Sequence, residues 1–301
     1  MGSQPCRRYS SAVDMTGQPL FCDVDLAARI ERAEVELVSH GSAAAHRRRG
    51  EGSGFLKPVM GGVASFAEDD SPLNKVAGLG FHGVPDDGLL DEIERAFADR
   101  GAPVQVELAH LGDPDIGARL TERGYRLTSF ENVLGFSLSG EHPRFEPDGI
   151  DIRTSGDEEF EQWLEAIADG FAHPDAQGVA SHEEFPREVI AAAVRDLVSA
   201  AGMRRYSAVC EGTVVGGASV RMTDGIAQLT GAATAPSHRR RGVQTALLAA
   251  RLADAAAAGC DLAVVTTQPG SKSQQNVQRQ GFHLLYTRAV LVKQTGTTGR
   301  A

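Results

Sequence analysis

Cysteine, tryptophan and long apolar runs are all scarce in this chain of 301 residues, which has four cysteines and one tryptophan. Cys6, Cys22, Cys210 and Cys260 are scattered, with neither C-x-x-C spacing nor a nearby pair of histidines. That spacing argues against a zinc site and fits a reduced, metal-free, cytoplasmic protein. The longest apolar run, near residues 246–252, is broken by Arg251 and falls far short of the roughly 18 residues that a membrane span requires. The N-terminus has charges but no continuous apolar stretch and no small-residue cleavage site, so no secretory signal is expected. A basic excess is also missing. The formal net charge is −10, with 15 basic against 24 acidic residues in 1–149. Such a surface repels nucleic acid and attracts small cations, and no aromatic residues interleave with the arginine triplets.

What the chain does contain is the composition of an ordinary globular protein, 42% hydrophobic and 23% charged. Its length exceeds what a single core usually supports, so two domains of about 150 residues are expected. Residues 1–22 read as an irregular leader. Residues 40–54, "HGSAAAHRRRGEGSG", are small and polar without periodicity and read as a mobile loop. That loop holds the first of two HRRRG pentapeptides, His46–Gly50; the second is His238–Gly242.

The second copy has structured neighbours. "GIAQLTGAATA" (225–235) alternates as a strand, Pro236 ends it, and "RGVQTALLAARLADAAAAG" runs as an Ala/Leu-rich helix to Gly259. "DLAVVTT" (261–267) follows as a strand, "GSKSQQNVQRQGF" as a helix closing at Gly281, and "HLLYTRAVLVK" as a final strand pair. Upstream lie the strand "GIDIR", the helix "DEEFEQWLEAIADGF", a helix from about Glu183 to Ala200, and a hairpin turning at Glu211-Gly212. The first half repeats the end of this order at an offset of roughly 157 residues. "TERGYRLTSFENVLGFSL" lies over "QRQGFHLLYTRAVLVKQT", "VQVEL" over "LAVV", and "LLDEIERAFADRG" over "ALLAARLADAAAA", as a tandem duplication would leave them. Where the second half has arginines, the first has Pro85, Asp86 and Asp87, whose charge repels a phosphate at a helix start.

A helix N-terminus offers unpaired N–H groups and the positive end of its dipole, so it binds anions; glycine lets main chain approach a bulky phosphate, and arginine adds charge-assisted bonds. Arg239, Arg240, Arg241, Gly242, Val243, Gln244 and Thr245 form such a turn, suited to a pyrophosphate. At these residues the chain resembles the GNAT superfamily of acyl-CoA-dependent N-acyltransferases. "ATAPSHRRRGVQTALL" is similar to motif A, [Q/R]-x-x-G-x-[G/A] between a strand and an apolar helix. Gln244 stands where Gly or Ala is usual, and Thr234 where Val is usual. "NVQRQGF" resembles the end of motif B. The resemblance covers residues 150–293, and 55–138 through the repeat. It implies an α/β fold of two units, each a mixed sheet flanked by helices: a degenerate domain 23–148 and a catalytic domain 149–301.

The resemblance implies acetyl-CoA as cofactor, its pantetheine arm entering between two splayed strands, with backbone amides of Ala233, Thr234 and Ala235 on the thioester carbonyl. The places where the family often has a Glu before motif A and a Tyr in motif B hold no acid between Ile226 and Ala235, and Val277. Candidate substitutes are Tyr286, Ser273 or Ser271, and His173 or Asp175. Ser271, Asn276 and Arg279 are candidate cofactor or pocket contacts. The expected function is acetyl transfer to a primary amine of a small cationic molecule by a monomer or homodimer. A non-catalytic acyl-CoA-binding protein and a peptide or protein N-acetyltransferase are the alternatives.

Overall fold

The computed structural model describes residues 20–50, 52–173, 179 and 185–294. In chain order it contains α1 (Val24–Arg49), β1 (Phe55–Val59), β2 (Gly62–Phe66), β3 (Lys75–Ala77), α2 (Asp87–Ala98), β4 (Val104–Ala109), α3 (Pro114–Glu122), β5 (Arg126–Ser137) and β6 (Asp151–Thr154). There follow α4 (Phe160–Ala172), α5 (Arg187–Leu197), β7 (Met203–Cys210), β8 (Thr213–Thr223), β9 (Ile226–Thr234), α6 (Val243–Ala257), β10 (Leu262–Thr267), α7 (Lys272–Arg279) and β11 (His283–Lys293). Most of the leader, Asp175 and Glu183 lie outside the described residues.

All eleven strands join one sheet in the order β1-β2-β3-β4-β11-β5-β10-β9-β8-β7-β6. The two halves exchange their last strands at its centre. β11 pairs with β4, Arg288 opposite Ala109 through Lys293 opposite Val104, and β5 pairs with β10, Leu262 opposite Ser137 through Thr267 opposite Asn132. β5 and β11 then pair with each other. "HLLYTRAVLVK" is therefore one bulged strand rather than the strand pair its length suggested, because β5 pairs with it continuously from His283 to Val292 while β4 flanks Arg288–Lys293.

Period-two alternation sends successive side chains to opposite faces. One face carries α1, α4 and α5. Ala27, Ile30 and Ala33 of α1 pack on Val133, Ile226, Leu262, Val264 and Tyr286, and Trp163, Leu164 and Ile167 of α4 pack on Ala233. The other face carries α6 over β7–β10 and α2 and α3 over β2–β4. Trp163 is fully buried and its indole N–H donates to the Tyr206 carbonyl, satisfying the one polar atom that burial would otherwise strand.

The reading of 40–54 as a loop is corrected: residues up to Arg49 form the last turns of α1. Their small size is what the packing requires. A Cβ added at Gly41 would meet Leu197 Cδ2 of α5 at 3.0 Å, and Ser42 and Ala45 are fully buried. The pentapeptide is anchored as well. His46 Nε2 bonds the Phe66 carbonyl at 2.9 Å, Arg48 forks onto Asp196 at 2.6 and 3.1 Å and reaches Glu68 at 2.7 Å, and Arg49 reaches Glu68 at 2.9 Å. The strong helix formers Ala43–Ala45 and Arg47–Arg49 and the tertiary packing together carry the helix past Gly41 and Ser42, and arginines suit the negative end of the dipole.

Between α1 and the sheet lies a buried ion cluster. Glu31 of α1 accepts from Arg288 Nε at 2.7 Å and from Tyr286 Oη at 2.6 Å, and Lys75 donates to Glu107. Glu31, Arg288 and Glu107 are each at most 2% exposed. Removing one member of such a pair strands the other in a low-dielectric interior. Arg288→Met is expected to lower the unfolding free energy by about 3–5 kcal/mol, read from urea transitions monitored by circular dichroism; an unchanged midpoint would contradict a stabilising role.

Candidate active site

β9 and β10 are parallel neighbours over three residue pairs only, Leu262–Ile226, Ala263–Ala227 and Val264–Gln228. β9 then runs on to Thr234 and β10 to Thr267 without pairing, so the sheet forks. Two features hold the fork open. β10 stays in register with β5 over six pairs, while β9 follows β8 through a register shift between Gly217 and Ser219, beside Gly231 in a left-handed conformation at φ +44°. Strand edges without partners leave N–H and C=O groups for a ligand, and the crevice beyond the carboxyl ends of parallel strands is where such ligands settle.

Both helices that follow these strands open at this crevice. β9 leads through a 3₁₀ turn at Pro236–His238 to α6, whose N-cap Gly242 has φ +85°. Arg240 is also left-handed, at φ +63°. Among the described residues the N–H groups of Gly242, Val243, Gln244 and Thr245 have no protein acceptor, and the first intrahelical bond closing the turn runs from Ala246 to the Gly242 carbonyl at 3.0 Å. Those four unfilled donors are the anion site that a helix start provides. Linker residues Phe145 and Pro147 lie beside Gly242, where an added Cβ would meet their atoms at 3.1 and 3.2 Å. A side chain at residue 242 is therefore strained by the left-handed conformation and crowded by these two neighbours.

The motif side chains divide by task. Arg240 and Arg241 are exposed, with Arg241 reaching Cys210 Sγ at 3.8 Å. Arg239 is turned inward. It donates to the Thr234 carbonyl at 3.3 Å and to the His173 and Gly170 carbonyls, capping the C-terminus of α4. The Arg239 side chain is thus corrected from a cofactor contact to a clamp, because three carbonyls occupy its guanidinium. The Gln244 amide donates to Thr234 Oγ1 at 3.1 Å, and Val243 is buried in the α6 core, so both present the loop main chain rather than their side chains to the crevice.

Strand alternation also sorts the three amides expected on a thioester. Ala235 N–H donates to the Val215 carbonyl at 2.9 Å, and Ala233, of the same parity and opposite Gly217, points its N–H to β8 as well. Ala233 and Ala235 are corrected; Thr234 alone directs its N–H into the fork. Thr267 Oγ1, at the end of β10, is buried with no hydrogen-bond partner among the described residues. An unpaired N–H row, an orphaned hydroxyl and two cationic side chains at one crevice suit a ligand that joins a diphosphate to a polar arm.

Of the acid–base candidates, Tyr286 is corrected. It is 1% exposed beneath α1, donates to Glu31, and has its pKa pushed well up by burial and by the Glu31 carboxylate. Ser271 is the N-cap of α7, its hydroxyl accepting from Gln274 N–H at 3.2 Å; Ser273 is exposed on the first turn and Asn276 half-buried on the second. These three flank the crevice from the β10 side. Arg279 is exposed at the far end of α7. His173 is brought to the motif through its carbonyl, while its exposed ring bonds Asp169. In the first half, Asp86 caps α2 by accepting from Leu89 N–H at 2.8 Å, and Asp87 pairs with Arg119 and Arg123, so protein carboxylates take the place that an anion would need.

Sequence reasoning did not find the carboxylates that α1 and β5 bring to this region. Glu34 accepts from Gln228 Nε2 at 3.4 Å, and burial pushes its carboxyl up. Glu131 is pushed up to about 7, by burial first and by Glu107 second. No local pattern could reveal them, since Glu34 and Gln228 are 194 positions apart.

Residues 151–271 match the family model described as an acetyltransferase (GNAT) domain. Among solved structures, a GCN5-related N-acetyltransferase from Kribbella flavida aligns at a TM-score of 0.62 and 22% identity, covering 91% of this chain and 97% of its own. A tandem GNAT protein from the clavulanic acid biosynthesis pathway aligns at 0.58 and 15%, covering 93% and 98%. A GCN5-related N-acetyltransferase from Sphaerobacter thermophilus aligns at 0.55 and 16%, covering 91% and 95%. No curated protein matches the sequence. The fork, the glycine turn and the match to a GNAT acetyltransferase domain coincide on one segment, residues 151–271, and the solved structures share the fold of the chain.

Arg239→Ala releases the α4 end without touching the loop's free N–H groups. It is expected to cost about 1–3 kcal/mol, the range for hydrogen bonds to a charged group, and to speed amide exchange at residues 170–173 by at least about tenfold. Mass-spectrometric hydrogen exchange checks this, and unaltered protection there would remove the clamp.

Proposed function

We propose that this protein transfers the acetyl group of acetyl-CoA to the primary amine of a small cationic molecule. The observation that carries the reading is the fork between β9 and β10 opening onto the unfilled N–H groups of Gly242–Thr245. Those groups would hold the pyrophosphate, assisted by Arg240 and Arg241. Thr234 N–H, Ser271, Ser273 and Asn276 would flank the arm and its thioester. Acetyl-CoA supplies an activated acyl carbon. The protein's part is to align an amine with it, shut out water and take the ammonium proton. The preference for a cation rests on the acidic first half and on the carboxylates at Glu34, Glu107 and Glu131, which outnumber nearby Lys75 and Arg288.

In this reading the chain is a tandem pair, 23–148 and 149–301, acting in the cytoplasm as a monomer or homodimer. The first unit keeps the fold without a phosphate turn, and it completes the second by lending β5 and α1. The similar tandem GNAT structure supports that architecture. A second reading, an acyl-CoA-binding protein without turnover, draws on the burial of Tyr286 and the absence of an acid along β9.

Calorimetric titration with coenzyme A, followed by acetyl-CoA turnover on a panel of polyamines, aminoglycosides and lysine peptides, separates these readings. The wild type is expected to bind and to turn over a polycation. Gly242→Asp and Arg241→Glu are expected to weaken coenzyme A by at least about 100-fold and 10-fold, respectively, from repulsion and lost charge-assisted bonds. Tight binding by both variants would overturn the assignment of the loop, and binding without turnover on any amine would favour the second reading.

A further inference from the structure

The crevice has no carboxylate of its own along β9, but α1 of the other half brings one to the residue at its apex. Gln228 and Val264 are the last paired residues before β9 and β10 part, so Gln228 stands at the apex of the fork. It shares a sheet face with Ile226, which packs under α1, and is 4% exposed. Both ends of its amide are fixed. Arg221 donates to its Oε1 at 2.9 Å, and its Nε2 makes a long bond of 3.4 Å to Glu34 Oε2 of α1. Arg221 is in turn tied to α1 through the Ala33 carbonyl at 3.1 Å and Glu36 at 2.7 Å, so the helix and the apex are joined at three points.

Five carboxylates cluster on this face, and four are engaged. Glu31 accepts from Tyr286 and Arg288, Glu107 from Lys75, and Glu36 from Arg221 and Thr223, while Glu131 pairs with Arg288 at 3.5 Å one strand beyond β10. Glu34 has no ion pair within 4 Å among the described residues and bonds only a neutral amide. It is half-buried, whereas Glu31 and Glu107 are sealed at 2% and 1% exposure. Its carboxyl is raised by burial, lowered by Arg288 and Lys75, and raised again by Glu107 and Glu31. A half-buried carboxylate that has no counter-ion and whose pKa burial raises can accept a proton.

We propose that Glu34 is the general base of the acetyl transfer, lent to the C-terminal site by the first helix, and that Gln228 is the residue that positions it. This rests on the fork being the thioester site. In the step, Glu34 takes one proton from the substrate ammonium and the freed nitrogen lone pair forms a C–N bond to the thioester carbonyl carbon. The C–S bond breaks, and the departing sulfur receives the second proton from that nitrogen. Amide, thiol and one proton on Glu34 result, and that proton returns to water.

The test uses the full chain, acetyl-CoA and the most active amine of the panel. Glu34→Gln is expected to lower kcat at least about 100-fold, with coenzyme A affinity within about twofold, and to abolish the acid limb of the kcat/KM profile. Gln228→Ala removes a donor to the ionised carboxylate, so its acid limb should move to higher pH with coenzyme A affinity kept. In the free protein, the ¹³C carboxyl resonance that disappears in Glu34→Gln should titrate above the ordinary glutamate range. Should Glu34→Gln misfold, Glu34→Asp, shorter by one methylene, is expected to lose at least about tenfold in kcat. Full activity and an intact acid limb in either variant, or an ordinary titration of the resonance, would overturn the proposal while leaving coenzyme A binding untouched. Failure of the wild type to bind coenzyme A would sink the reading of the fork and this base with it.

Discussion

The interaction on which the rest depends is a parallel ladder that stops almost as soon as it begins. Beyond their third pair β9 and β10 are each held by the neighbour on the other side. β5 keeps β10 straight, and the bulge against β8 turns β9 away. Unpaired main-chain groups cost free energy in a protein interior unless something meets them, so a fork persists where it opens on solvent or ligand. The helix starts then fall where backbone donors, dipole and cationic side chains converge on one anion.

The two HRRRG pentapeptides show how little a short sequence determines alone. At the C-terminus of α1 the arginines meet exposed carbonyls and the negative dipole end, and Asp196 and Glu68 hold them. At the start of α6 the same residues meet free N–H groups, and Gly242 opens a helix at φ +85° where Gly50, at φ +100°, closes one. One copy ties α1 to its surroundings; the other leaves its main-chain N–H groups without a protein acceptor among the described residues.

The glycine turn, the helix beyond it and the strands at either side were legible, because each carries a local signal: alternation, a Gly stop, an apolar stripe. Four things were not. The helix through residues 40–49 is masked by Gly41 and Ser42, whose small size serves tertiary contacts such as the close approach of Gly41 to Leu197. The facing of Ala233 and Ala235 depends on the register with β8, and the burial of Tyr286 on α1 crossing above it. Glu34 is distant in sequence and acquires meaning only through Gln228.

The crossed positions of β5 and β11 carry a consequence for assembly. The middle of the sheet cannot be completed until the final strand has been synthesised, since β4 waits for a partner that is about 180 residues downstream. Until β10 and β11 are made, β5 lacks both of its partners and β4 has one open edge, which an early-folded N-terminal unit would present to other chains. High contact order of this kind slows folding. It also makes the two halves indivisible: cutting between them would produce two fragments, each missing a strand that only the other possesses.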